Sequence, residues 1–89
     1  MQRRTIYFSG QVQGVGFRYT ARSIANRHPL AGFVRNLSDG RVEMIVEGEE
    51  SQIDDLIDEI SKQMNGYIEQ IEQSTQTSTG EFDGFEIRR

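Results

Sequence analysis

Apolar and polar residues alternate over residues 5–12, with Ile6, Phe8, Gly10 and Val12 on one face and Thr5, Tyr7, Ser9 and Gln11 on the other. That period of two predicts a half-buried first strand. Gln13, Gly14, Val15 and Gly16 break the alternation, and from Phe17 the spacing turns helical, with Phe17, Ala21, Ile24 and Ala25 on one stripe. Pro29 stops this helix. Residues 31–37 and 41–48 read as two strands joined by Ser38, Asp39 and Gly40, where Asp-Gly supplies the positive φ that a tight hairpin demands. Ile53, Leu56, Ile57, Ile60 and Met64 define a second amphipathic helix, with Ser51 expected as its cap, Asp54 three residues on and Gly66 at its exit. Ile68 and Ile71 stand three apart in the polar tract that follows, a spacing that fits neither period, so residues 67–79 are expected to form an irregular fourth strand. Phe85 and Ile87 alternate with Glu86 and Arg88 in a short closing strand, reached by a turn over residues 79–84.

The order strand, helix, strand, strand, helix, strand, with a small extra strand, predicts an α+β fold: a ferredoxin-like split βαβ sandwich, an antiparallel-type sheet with two helices on one face. A right-handed crossover makes the first two strands run in the same direction. The loop after Val12, the start of the first helix and Asn36 are therefore expected to meet at one edge of the sheet.

Length and composition narrow the function. Eighty-nine residues fit a single domain, 1–89. With no cysteine, thiolate nucleophiles, zinc thiolate sites and disulfides are excluded and the fold must rest on packing. The longest apolar runs are three residues, at 6–8 and 44–46, far short of the roughly 18 that a membrane span needs. Ser9, Gly10 and Gln11 end the stretch after Arg3 and Arg4 before a signal-peptide core forms, and the cytoplasm is the expected compartment. Net charge is −4, but residues 1–44 hold seven arginines against Asp39 and Glu43, while residues 45–89 hold three basic against twelve acidic residues. No broad basic surface for nucleic acid is expected from an acidic chain with one lysine, Lys62. A small anion held by a few arginines fits this division.

Gln13, Gly14, Val15, Gly16, Phe17 and Arg18 lead from the first strand into a helix N-terminus. Glycines let successive backbone N–H groups converge, and the helix start adds free donors and partial positive charge, so the segment reads as a phosphate cradle. It is neither a Walker loop, since no Gly-Lys-Ser/Thr follows, nor a dinucleotide loop, since Tyr19 stands where a third glycine is required. Arg18 lies in the first helical turn, where a cation opposes the helix dipole unless an anion compensates, and its guanidinium matches two phosphate oxygens. Asn36 near the hairpin turn suits turn chemistry, and its carboxamide also suits the orienting of a water. Tyr7 and Tyr19 fit the mouth of such a site and fit packing equally well. Ser9, Thr20 and Ser38 have no base partner in the pattern. His28, at the far end of the first helix, reads as a surface residue. Asp54, Asp55, Asp58 and Glu59 read as a solvated stripe rather than a metal site.

Two motifs carry a family resemblance. Gly10-Gln11-Val12-Gln13-Gly14-Val15-Gly16-Phe17-Arg18 resembles the first signature of the acylphosphatase family. Gly32-Phe33-Val34-Arg35-Asn36, with Asp39-Gly40-Arg41-Val42, resembles its second. The resemblance extends along the chain through Glu47-Gly48 and Gly84-Phe85-Glu86-Ile87. It departs at Phe33, where Trp is common, over residues 26–30, and around residues 64–67, where the usual Gly-Pro loop is absent. It implies metal-free, cofactor-free hydrolysis of a small-molecule acyl phosphate, with Arg18 and loop 13–18 binding the phosphoryl group and Asn36 orienting the attacking water. A monomer that binds neither nucleic acid nor membrane is expected. Two other readings stay open at this point: a non-catalytic ferredoxin-like module binding a small anion or a partner, and a carbamoyl-phosphate-handling domain, which the short chain disfavours.

Overall fold

The computed structural model describes residues 1–89. Seven elements follow in order: β1 (Gln2–Gly10), α1 (Phe17–Ala25), β2 (Ala31–Asn36), β3 (Val42–Gly48), α2 (Glu50–Gln63), β4 (Ile68–Thr77) and β5 (Phe85–Arg88). The strands form one sheet in the order β4-β1-β3-β2-β5. α1 packs over β2 and β5, α2 packs over β3, and the two helices touch each other.

The apolar spacing accounts for this assembly. α1 buries Phe17, Ala21, Ile24 and Ala25, and α2 buries Ile53, Leu56, Ile57 and Ile60. They close over Ile6, Phe8, Val34, Val42, Met44 and Val46 of the sheet in one continuous cluster. Each large aliphatic or aromatic side chain so buried contributes roughly 1.5–3 kcal/mol. No helix is long and apolar enough to cross a membrane.

Four details differ from the sequence expectation. β1 runs over Gln2–Gly10 rather than 5–12, so Val12 is buried in the loop beyond the strand. α2 is capped by Glu49 in extended backbone, with no side-chain cap bond, and Ser51 lies within the first turn. β3 leads into that helix through Glu49 alone, which leaves no room for a later start. β4 spans Ile68–Thr77 rather than 67–79, an edge strand whose expected irregularity is one register shift, where Ser9 opposes Gln70 and Gly10 opposes Ile68. Lastly, the sheet is mixed rather than antiparallel, because β5 pairs parallel to β2, Gly32 opposite Phe85. The cause is topological. β4 ends beside the start of β1, residues 78–84 cross that end of the sheet to its other edge, and β5 then runs alongside β2 from the end where β2 begins.

β1 and β2 are both antiparallel to β3. Phe8 and Asn36 both stand opposite Val42, so the end of β1, the start of α1 and the end of β2 come together as expected from the crossover. The hairpin turn carries Gly40 at φ 95°, and the Leu37 N–H donates to the Arg41 carbonyl at 2.8 Å.

Candidate active site

At that edge of the sheet a cavity of about 90 Å³ is lined by Val12, Gly14, Gly16, Phe17, Arg18, Tyr19 and Asn36. Arg18 and Asn36, from α1 and β2, thus face one space although eighteen positions apart in sequence. Its volume is well below the roughly 300–1,000 Å³ of pockets that enclose drug-sized ligands.

The floor is a loop built for open donors. Gly14 and Gly16 adopt φ 77° and 78°, and every non-glycine residue has negative φ. Signs therefore alternate from Gln13 through Gly16, the backbone pattern that turns successive N–H groups into one concavity. A Cβ at either glycine would meet nothing within 4 Å, so the need for glycine there is conformational rather than steric. Gly16 is also the N-cap of α1, without a side-chain cap bond. None of the backbone hydrogen bonds outside the helices and strands is donated by residues 12–19, the nearest donors being Gln11, to Tyr67, and Thr20, to Gly16.

Phe17 anchors this loop from below, its ring 4.8 Å from that of Phe8. It is buried in the core and also lines the cavity. Arg18 is half-buried and makes no side-chain hydrogen bond or ion pair with the rest of the protein. Asn36 Oδ1 is buried and has no hydrogen-bond partner. An acceptor left so costs roughly 1–3 kcal/mol.

The loop residues divide. Gln13 lies outside the lining: its Nε2 donates to the carbonyls of Leu37 and Arg41, at 2.8 and 3.0 Å, tying the loop to the hairpin beyond Asn36. Val15 is exposed and also lies outside the lining. Tyr19 does line it, whereas Tyr7 lies elsewhere, donating its hydroxyl to Glu43 at 3.1 Å beneath the Arg41 guanidinium. The bond to Glu43 raises the Tyr7 pKa, with burial adding to the effect. His28 ties the turn after α1 to α2 rather than being a free surface residue, with Nδ1 2.6 Å from Gln52 and Nε2 3.2 Å from Glu59. Most of the acidic stripe on α2 is engaged: Asp54 with Arg4, Asp58 with Lys62 and Glu59 with Arg27. Val12 as a wall and Gln13 as a clamp went unread in the sequence. The place of Val12 on the apolar face of the first strand was the available sign for the first, and the second carried none.

A sequence model of the acylphosphatase family matches residues 4–87. The chain belongs to the acylphosphatase family. It is 46% identical over 81 residues to an acylphosphatase of Acaryochloris marina (strain MBIC 11017), spanning 91% of this chain and 87% of that one. Its backbone superposes on the crystal structure of acylphosphatase from Bacillus subtilis with a TM-score of 0.90, at 33% identity and complete coverage of both chains. T. kodakarensis HypF is also similar, with a TM-score of 0.84 and 34% identity over 100% of this chain, which corresponds to 12% of that protein. The activity of this chain is that of an acylphosphatase, the hydrolysis of acyl phosphates.

Proposed function

We propose that this chain hydrolyses acyl phosphates by in-line attack of water on phosphorus, with Arg18 and the N–H groups of loop 13–18 holding the phosphoryl oxygens and Asn36 orienting the water. What supports the reading above all is that an arginine without an anion and a carboxamide without a partner share one small cavity floored by undonated N–H groups. Preorganised donors of this kind stabilise charge on a transferring phosphoryl group without reorganising during the reaction.

The water oxygen forms its bond to phosphorus as the bond from phosphorus to the acyl oxygen breaks, and the carboxylate leaves with its electron pair. No Asp, Glu or His lines the cavity, so the proton of the water passes to a phosphoryl oxygen of the substrate. A carboxylate is a good leaving group, and positioning with charge stabilisation suffices without a strong side-chain base. The reading needs no metal or cofactor, and it takes residues 1–89 as one domain acting as a cytoplasmic monomer. Few large apolar side chains are exposed, namely Met1, Val15, Tyr19 and Tyr67, which supports the monomer.

The test is hydrolysis of benzoyl phosphate with a metal chelator present. Wild type turns over; Asn36→Ala lowers kcat by about a hundredfold or more while inhibition by inorganic phosphate stays within about threefold; Arg18→Ala weakens phosphate inhibition and turnover together. Equal loss of phosphate affinity in both variants would contradict the division of roles, and loss of wild-type turnover on chelation would contradict the metal-free mechanism.

A further inference from the structure

Six of the nine arginines sit in ion pairs: Arg3, Arg4, Arg27, Arg35, Arg41 and Arg88. Arg18, Arg22 and the terminal Arg89 do not. In a chain with net charge −4, two unpaired arginines thus stand one helical turn apart on α1, at i and i+4, on the same side of that helix. One lines the cavity. The other holds its guanidinium carbon 5.2 Å from the ring centre of Tyr19, which also lines the cavity and is 64% exposed. Positive charge therefore continues from the phosphoryl site out along α1, past an aromatic face.

The size of the cavity makes this strip relevant to the substrate. At about 90 Å³ the cavity is far smaller than the roughly 300–1,000 Å³ that encloses a whole drug-sized ligand, so with the phosphoryl group inside it the acyl part extends to whatever borders the mouth. Tyr19 offers a flat apolar surface there, and Arg22 beside it offers a charge that no protein carboxylate neutralises. We propose that Tyr19 and Arg22 form an acyl-side subsite that selects acyl phosphates carrying a second anionic group over uncharged ones of similar size. The proposal rests on the phosphoryl position assigned above. Arg22 also lies in the last turn of α1, where a cation favours the helix dipole; that role affects stability and leaves substrate preference unchanged.

The experiment compares kcat/KM for benzoyl phosphate and para-carboxybenzoyl phosphate in wild type, Arg22→Gln, Arg22→Lys and Tyr19→Ala. Wild type prefers the carboxylated substrate, and the preference shrinks as ionic strength rises. Arg22→Gln lowers kcat/KM for that substrate about two- to fivefold, the range for one partly exposed charge pair, and leaves benzoyl phosphate unchanged. Arg22→Lys retains most of the preference, and Tyr19→Ala raises KM for both substrates. Wild-type indifference to the carboxylate, or an equal loss on both substrates in Arg22→Gln, overturns the subsite while turnover itself stands. Absence of turnover on either substrate by folded wild type overturns the phosphoryl assignment and the subsite together.

Discussion

Gln13 shows how one residue can belong to the glycine loop by its backbone and to another element by its side chain. Its amide lies in the run of undonated N–H groups, whereas its carboxamide holds the Leu37 and Arg41 carbonyls on either side of the hairpin turn. Those two bonds set the distance between the loop that carries Arg18 and the strand end that carries Asn36. Gln13→Ala leaves both carbonyls without this donor and lets the hairpin drift. Misplacement of a reacting group by about 1 Å costs up to about a hundredfold in rate, so we expect kcat for benzoyl phosphate to fall about tenfold or more, with phosphate inhibition within about threefold. An unchanged kcat would show that β2 positions Asn36 without this clamp.

At the scale of elements, what was legible followed from local rules, and what was not depended on neighbours distant in sequence. The stripes of α1 and α2 and the Asp-Gly turn need only the residues themselves, and the meeting of Arg18 with Asn36 followed from the handedness of one crossover. β4 was obscure because Ile68 and Ile71 break the period of two. The register explains them: Ile71 opposes Phe8 and Ile68 opposes Gly10, so Glu69 is an extra residue at the shift, and both isoleucines return to the core face. A bulge of this kind has no signature in a single strand, since it is defined by the partner. The parallel pairing of β5 was hidden for a similar reason, being fixed by where residues 78–84 cross the sheet. The face assignment is testable by urea denaturation. Ile71→Ala should cost about 1–2 kcal/mol, as a half-buried core contact, and Glu69→Ala less than about 0.5 kcal/mol. The reverse order would place the extra residue elsewhere in β4.

The whole molecule is closed at the end opposite the site by one carboxylate. Glu47, near the end of the central strand β3, has a side chain only 5% exposed. It accepts hydrogen bonds from Arg3 at 2.8 Å, from the Thr79 and Gly80 N–H groups at 2.9 Å each, and from the Ser78 hydroxyl at 3.0 Å. Residues 78–84, which carry the chain from one edge of the sheet to the other, are thereby fastened to its centre. Phe82 adds a contact with Phe33, and Arg3 and Arg88 stack on the pair. Burial by itself would raise the Glu47 carboxyl, but the Thr79 N–H, Arg3, Gly80 N–H and Ser78 together outweigh it and hold the pKa at about 2, against 4.5 ordinarily. A carboxyl depressed on folding contributes in full above its unfolded value, so this contribution persists at neutral pH and is lost as pH falls from 4.5 toward about 2. Glu47→Gln removes the ionisation and leaves Arg3 without its buried partner, and should lower stability at neutral pH by about 2–4 kcal/mol. The two proteins should then converge in stability as pH approaches 2, because only wild type has this contribution to lose. Urea titrations at several pH values measure the convergence. Parallel curves would mean that the crossing segment is held by its aromatic contacts and not by Glu47. Because the carboxylate lies at the other end of the sheet from Arg18 and Asn36, kcat of the folded variant should match wild type, so a loss of turnover at full folding would show that the two ends are coupled.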